Sequence, residues 1–322
     1  MFQGKSSWWP LAAVLVVLAA LLVTLQAGAG STAGRSGTSR VAHFGFPSEI
    51  VDFVPSAENP VFRGGGPGAW DVKIRERGWI LREGGVYHLW YTGYDGTREG
   101  IRQLGYATSP DGLCWTRWPG NPLCPGEWVE DMMVVKHGDT YYMFAEGLHD
   151  EAQLLTSKDR VNWRREGRLE IHTTDGKPLS PGPFGTPTAW REHGTWYLFY
   201  ERMDAGVWLA RSRDLKVWTN LQDQPVMLPG PGDYDKSMIA LNQIVKYRGQ
   251  YFAFYHGSGR AQPTRTWNTD AARSNDLVHW EKYPGNPIVQ GDRSSGIVVF
   301  DGRRLRLYTM HPQVDAYLPS EK

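Results

Sequence analysis

One pattern, Ser-x-Asp-x-x-x-Trp, occurs four times with identical internal spacing: Ser109/Asp111/Trp115, Ser157/Asp159/Trp163, Ser212/Asp214/Trp218 and Ser274/Asp276/Trp280. Successive copies begin 48, 55 and 62 residues apart. Recurrence on this scale marks one supersecondary unit used repeatedly, as in a propeller or solenoid. The constraint precedes any propensity argument, because such a unit buries its apolar face only against its neighbours.

More of the unit repeats than the tetrad. Upstream of each copy a glycine (Gly85, Gly138, Gly194, Gly249) is followed by an aromatic-rich run containing Tyr87 and Tyr91, Tyr141 and Phe144, Trp196 and Tyr200, and Tyr251 and Tyr255. A β-branched or apolar run precedes each glycine, so each reads as a hairpin turn between two strands. Asn121-Pro122, Gln224-Pro225 and Asn286-Pro287 each lie 12 residues beyond the Ser of their tetrad. The unit therefore reads as strands A and B joined at the glycine, strand C ending at Ser-x-Asp, and strand D at the Trp. Four antiparallel strands make a propeller blade. The Asp is expected to cap a turn by accepting backbone N–H groups, and the Trp to fill the space between blades.

Residues 297–310 form a fifth A–B hairpin with no tetrad after it, and Asn59-Pro60 has no tetrad before it. The expectation is an all-β, five-bladed propeller whose ring is closed by an N-terminal strand near residues 50–54. Closure leaves no unpaired sheet edge.

The chain carries 35 Lys and Arg against 34 Asp and Glu, a balance that argues against a nucleic-acid or membrane-surface partner. Residues 8–25 are almost wholly apolar, follow Lys5 and precede Ala27-Gly28-Ala29. This is the pattern of a secretory signal, and its length also suits an uncleaved membrane anchor. The expected organisation is a signal peptide or anchor in residues 1–30, a polar linker in 31–42 and the propeller in 43–322. The protein is then exported, meeting a membrane only through its N-terminal segment. Cys114 and Cys124 are the only cysteines, and in an exported chain they form a candidate disulfide.

The start of strand A and the end of strand B emerge on one face. Polar residues gather there: Trp70 and Asp71, Glu130 and Asp131, the run 185–188, Asp235 with Asn242 and Gln243, and Arg293 to Ser295. From the ends of strand B come Tyr94, Glu146, Glu201 with Arg202 and Asp204, His256 and His311. What varies around a repeated scaffold is where function lives. Carboxylates among aromatic side chains suit glycoside chemistry, which needs one protonated carboxyl and one ionised one. The bland alternative is that they cap turns or pair with Arg75, Arg98, Arg202 and Arg293.

On these motifs the chain resembles the five-bladed propeller glycosidases, the family 43 arabinanases and xylosidases and the family 32 invertase-like enzymes, over about residues 44–318. It shares features with the related mannoside phosphorylases. The resemblance implies Asp71 as base, Asp131 as orienting carboxylate and an acid on strand A of blade 3. There the family's Glu-Gly-Pro reads Gly185-Thr186-Pro187, so Glu201 is the provisional acid, with Glu146 and Asp235 behind it. Trp70, Tyr94, Glu146, Arg202, Asp235, Asn242, Gln243 and His256 are the expected substrate-binding residues. The phosphorylase likeness lies in Glu130-Asp131, followed by Met132-Met133 where those enzymes have Pro-Arg, and in Tyr255-His256-Gly257. An oligosaccharide or polysaccharide hydrolase is expected. A phosphorolytic relative and a sugar-binding propeller without catalysis remain alternatives. No cofactor is expected beyond a structural cation in the channel, for which His256 and His311 are candidates.

Overall fold

The computed structural model describes residues 45–179, 182–261 and 263–320. Five sheets, antiparallel except for one added strand in the third, follow one another along the chain, and they are the five blades. Blade 1 contains β2 (Lys73–Glu83), β3 (Val86–Tyr94), β4 (Gln103–Ser109) and β5 (Thr116–Arg117). Blade 2 contains β6 (Glu130–His137), β7 (Thr140–Glu146), β8 (Ala152–Ser157) and β9 (Trp163–Arg168). Blade 3 contains β11 (Gly185–Glu192), β12 (Thr195–Glu201), β13 (Val207–Ser212) and β14 (Val217–Asn220). Blade 4 contains β15 (Met238–Tyr247), β16 (Gln250–Ser258), β17 (Asn268–Ser274) and β18 (Trp280–Lys282).

Blade 5 combines β19 (Ile297–Phe300), β20 (Leu305–Thr309) and β21 (Asp315–Pro319) with the N-terminal β1 (Phe53–Pro55), which pairs antiparallel with β21. The ring closes as expected, but the closing strand starts later. Ile50 and Val51 lie in the short helix α1 (Ser48–Val51) and are buried against Phe252, Val298 and Leu307. Blade 3 also departs from four strands. Between blades 2 and 3, where the tetrad is not followed by Asn-Pro, β10 (Glu170–His172) adds a fifth strand, parallel to β14.

The tetrads behave as their chemistry requires. In blade 1, Ser109 Oγ donates to Asp111 Oδ1 at 2.9 Å, and the same oxygen accepts the N–H groups of Leu113 and Cys114 at 2.8 Å. Asp159, Asp214 and Asp276 repeat this. Acceptance of N–H bonds favours the charged form, and the Asp159 carboxyl, bonded first to the Asn162 side chain, is lowered to about 2. Three of the four Trp residues pack edge-on against strand B of the preceding blade, Trp163 on Trp90, Trp218 on Phe144 and Trp280 on Phe199, whereas Trp115 packs edge-on against Tyr87 of its own blade. The Asn of each Asn-Pro pairs by its side-chain amide with both backbone groups of one strand-C residue: Asn121 with Tyr106, Asn286 with Ala271, and Asn59 with Ala316 in the closing blade.

Cys114 and Cys124 are both free, one exposed and the other buried, so the expected disulfide is not formed. Burial pushes the Cys124 thiol up to about 11. Residues 1–42, where the signal or anchor and the linker were read, lie outside the described residues. Among those described, no helix is long and apolar enough to cross a membrane.

Ring closure makes a direct prediction. Deleting residues 45–56 removes β1 and the buried Ile50 and Val51, each worth about 1.5–3 kcal/mol, so melting should fall by roughly 10 °C. A thermal unfolding curve unchanged by the deletion would show that β1 does not hold the ring.

Candidate active site

The site is built from interruptions in strand A. In four blades the A–B register slips: between Arg75 and Trp79, Glu130 and Met133, Gly185 and Thr188, and Leu241 and Gln243. A β-bulge re-aims side chains that regular pleating would send into the sheet. Glu76, Asp131 and Thr186 sit in three of these bulges at φ of 57, 47 and 44°, and Ser295 of blade 5 lies at 57°. A β-branched residue at positive φ is costly, and Thr186 is held there by Glu146 Oε1, which accepts its backbone N–H.

Arg77, in the first bulge, is fully buried and ties the ring together. Its guanidinium donates to the carbonyls of Asp131 in blade 2, Pro187 (2.8 Å) in blade 3, and Leu241 (3.4 Å) and Asn242 (3.1 Å) in blade 4, and to Thr188 Oγ1. Its backbone N–H donates to Asp131 Oδ1 at 3.0 Å. Beside it, the N–H of Glu76 reaches His311 Nδ1 of blade 5 at 3.4 Å. Burial lowers the Arg77 guanidinium to about 10, which leaves it charged near neutrality, beside Asp131 and Glu146.

Six carboxyls from blades 2 and 3 share this mouth: Glu130, Asp131, Glu146, Asp150, Glu201 and Asp204. Burial is the first cause of a raised pKa in each, and their mutual repulsion adds to it in nearly all. Glu201 is pushed up to about 8, Glu130 to about 7 and Asp204 to about 6. Asp131 is raised by burial against the opposing pull of Arg77 and Arg75. At neutral pH Glu201 is therefore mostly a protonated acid.

Gly185 explains how Glu201 fits. A Cβ on Gly185 would overlap Glu201 Oε1 and lie 3.0 Å from Glu146 Oε1. Where the resemblance puts a strand-A glutamate, this chain leaves a hole, and two strand-B glutamates turn their carboxyls into it. Glu201 Oε2 accepts the N–H of Asp204, three residues beyond the paired end of β12.

Asp71 stands elsewhere. It is 1 % exposed, and its Oδ2 accepts from Tyr91 Oη at 3.0 Å and Arg117 Nε at 2.9 Å, both in blade 1. Trp70 stacks on the same Tyr91, with ring centroids 6.0 Å apart. Asp235 repeats the arrangement in blade 4, accepting from Tyr255 Oη at 3.1 Å and from Lys282 Nζ at 2.5 Å. The matching lead-ins of blades 1 and 4 thus stitch strand A to strands B and D. Gln243 is likewise engaged, exchanging two hydrogen bonds with the backbone of Val298 in blade 5. Met133, at the matching place in blade 2, accepts the N–H of Ala189 at its sulfur.

Other expected residues do reach the mouth. Tyr94 stacks under Arg102, whose guanidinium also covers Trp128, and the Trp128 indole donates to Glu130 Oε1 at 2.6 Å. Asn242 bonds His256 Nδ1 at 2.9 Å, and the His256 ring packs edge-on against Trp267 at 4.7 Å. Burial lowers His256 to about 3 and His311 to about 4, so both are neutral. Arg202 lies over Phe184 and Trp208. A cleft of about 370 Å³ opens beside the carboxyls, lined in part by Trp128, Leu148, Arg165 and Arg168.

Sequence reading passed over Arg77, Glu76 and Asp150, and it placed Glu130 at the mouth without a role of its own. One signal was available: each strand-B glutamate is followed within four residues by an Asp in a left-handed turn, Glu146 by Asp150 (φ 55°) and Glu201 by Asp204 (φ 56°).

No family model matches the chain. A 1,2-β-oligomannan phosphorylase of Thermoanaerobacter is 26% identical over 196 residues, 55% of this chain and 62% of the phosphorylase, so the match spans less than two thirds of that relative. Among solved structures, a glycosyl hydrolase from Bacteroides ovatus superposes with a TM-score of 0.68 at 17% identity, covering 84% of this chain and 95% of that one. The β-1,2-mannobiose phosphorylase of Listeria innocua superposes with a TM-score of 0.63 at 16% identity, covering 82% and 95%. The chain has the five-bladed propeller fold shared by those glycoside hydrolases and phosphorylases.

The raised carboxyls set a pH dependence. A group whose pKa rises on folding binds more protons folded than unfolded, so its stabilising contribution is complete below the unfolded value and lost as pH rises through the folded one. His256 and His311, lowered on folding, act oppositely, but their contribution is complete above about 6.5. Melting temperature should therefore fall between about pH 6.5 and 8, and Glu201→Gln should flatten that fall. A wild-type profile already flat across this window would contradict the buried, protonated Glu201.

Proposed function

We propose that the protein is an exported carbohydrate-active enzyme that cleaves glycosidic bonds at the carboxylate mouth. The observation that carries this reading is Glu201, buried in the space left by Gly185 and holding its proton near neutrality. Glu201 donates that proton to the glycosidic oxygen as the bond from the anomeric carbon to that oxygen breaks. Asp131 is the base in this reading. The Arg77 N–H and the charges of Arg77 and Arg75 favour its ionised form, against the burial that raises its pKa. It replaces Asp71 in the role of base, because the Asp71 carboxylate is already paired with Arg117. Water is the acceptor: Asp131 takes its proton as its oxygen bonds to the anomeric carbon. Tyr94, Trp128 and His256 with Trp267 supply walls for the apolar faces of sugar rings, and the adjoining cleft offers room for further units.

The likeness to two mannoside phosphorylases favours a second reading, in which inorganic phosphate takes the place of water. The excess of carboxyls at the mouth works against binding that anion, and Met133 stands where the phosphorylase motif carries Arg. Hydrolysis of mannosides or related glycosides is the better supported reading. Export is inferred from the apolar segment at residues 8–25 and is checked by cell fractionation.

Leaving-group dependence tests the acid. Glu201→Gln should slow hydrolysis of a mannoside with a poor alkyl leaving group by about 10²–10⁴-fold and that of a dinitrophenyl glycoside far less, since the latter needs no proton. Equal losses on both substrates would remove Glu201 from the acid role. Turnover that appears only when phosphate is added, with a sugar 1-phosphate as product, would establish the phosphorylase. Oligosaccharide binding without turnover would make the protein a binding module.

A further inference from the structure

Three of the six carboxyls do more than crowd one another. Glu130, Glu146 and Asp150 each bring one oxygen to a common point, with the three oxygens within 4.8 Å of one another. Glu130 is 7 % exposed, and its two oxygens differ: Oε1 takes the Trp128 indole N–H, whereas Oε2 is buried with no hydrogen-bond partner. An orphaned carboxylate oxygen in a buried setting is costly and points to a missing electropositive ligand. Glu146 Oε1 is anchored by the backbone N–H and hydroxyl of Thr186. Asp150 lies on an exposed turn, which gives the point access to solvent. The Arg75 guanidinium, whose charge acts on Glu130 and Asp150, is paired with Glu76.

We propose that Glu130, Glu146 and Asp150 bind a divalent cation, calcium in particular, at the junction of blades 2 and 3. All three donors are hard oxygens, with no His or Cys nitrogen or sulfur that would favour zinc. Oxygens around one Ca²⁺, at about 2.3–2.6 Å from it, can stand up to about 5 Å apart, and its flexible coordination accepts waters on the side open at Asp150. The ion's two positive charges would offset most of the charge on its three carboxylates and, through Glu146, lock the Thr186 bulge against which Glu201 packs. The assignment rests on the geometry of three side chains and is independent of the reaction proposed above.

The test uses the full-length protein stripped with a chelator. Terbium, excited through the protein's tryptophans, of which Trp128 touches Glu130, should luminesce, and calcium should displace it with a Kd of about 10⁻³ M or tighter. Asp150→Asn and Glu130→Gln should each weaken calcium binding by about tenfold or more, because each removes a ligand charge. Asp150→Asn, on an exposed turn, decides the matter should Glu130→Gln fail to fold. Glu201→Gln should retain calcium binding whatever it does to turnover, which separates a failure of this proposal from a failure of the catalytic reading. Terbium emission that calcium does not displace, or calcium affinity unchanged in Asp150→Asn, overturns the site.

Discussion

A single buried guanidinium holds the mouth of this propeller together. Arg77 donates to backbone carbonyls of three other blades and brings its own N–H to Asp131, while its neighbour Glu76 reaches the fifth blade. Carbonyls at a bulge have lost their ladder partners and would be orphaned in a dry channel. One planar, permanently charged fork satisfies several at once, which a lysine's point charge could not do. The same charge offsets part of the repulsion among the carboxyls, so architecture and electrostatics depend on one side chain.

The bulges decide what the mouth presents. A regular strand A would send alternate side chains into the sheet interior and the channel. Slipped registers instead turn Asp131 and Thr186 into positive φ and bring the ends of β7 and β12 alongside. Gly185 then has a positive function, since the absent Cβ is what admits the Glu201 and Glu146 carboxyls. The Glu201 carboxyl thus reaches, from the hairpin partner strand, the space that a side chain at position 185 would fill. In the low dielectric of that space burial keeps it protonated, and the surrounding negative charges act in the same direction.

Asp71 sits in a different setting from Asp131. Its place before strand A matches the resemblance, yet it shares its geometry with Asp235 and not with Asp131. Both accept from a tyrosine 20 residues later and from a cation on strand D. The equal 14-residue separations from Gly85 and Gly249 signalled this twofold structural use. A buried acid paired inside its own blade is a stitch, and a buried acid among other acids is a candidate for chemistry. Spacing alone does not distinguish them, because the difference lies in which side chains fold back from other strands.

The blade pattern was legible in the sequence because its determinants are local. The Asp of each tetrad accepts bonds from residues two and three positions on, and each hairpin turns at a glycine, so composition at fixed offsets suffices. Blade count and ring closure followed from the same local units. The gathering of polar side chains at one mouth was legible too, since strand direction places the start of A beside the end of B. Tertiary structure alone decided the rest. The contacts of Arg77 run to residues 54 to 165 positions away, and Glu146 meets Thr186 across 40. The free state of Cys114 and Cys124, the fifth strand β10 and the grouping of six carboxyls all depend on how neighbouring sheets and loops pack. Interactions between residues brought together only by ring closure leave no fixed spacing to read.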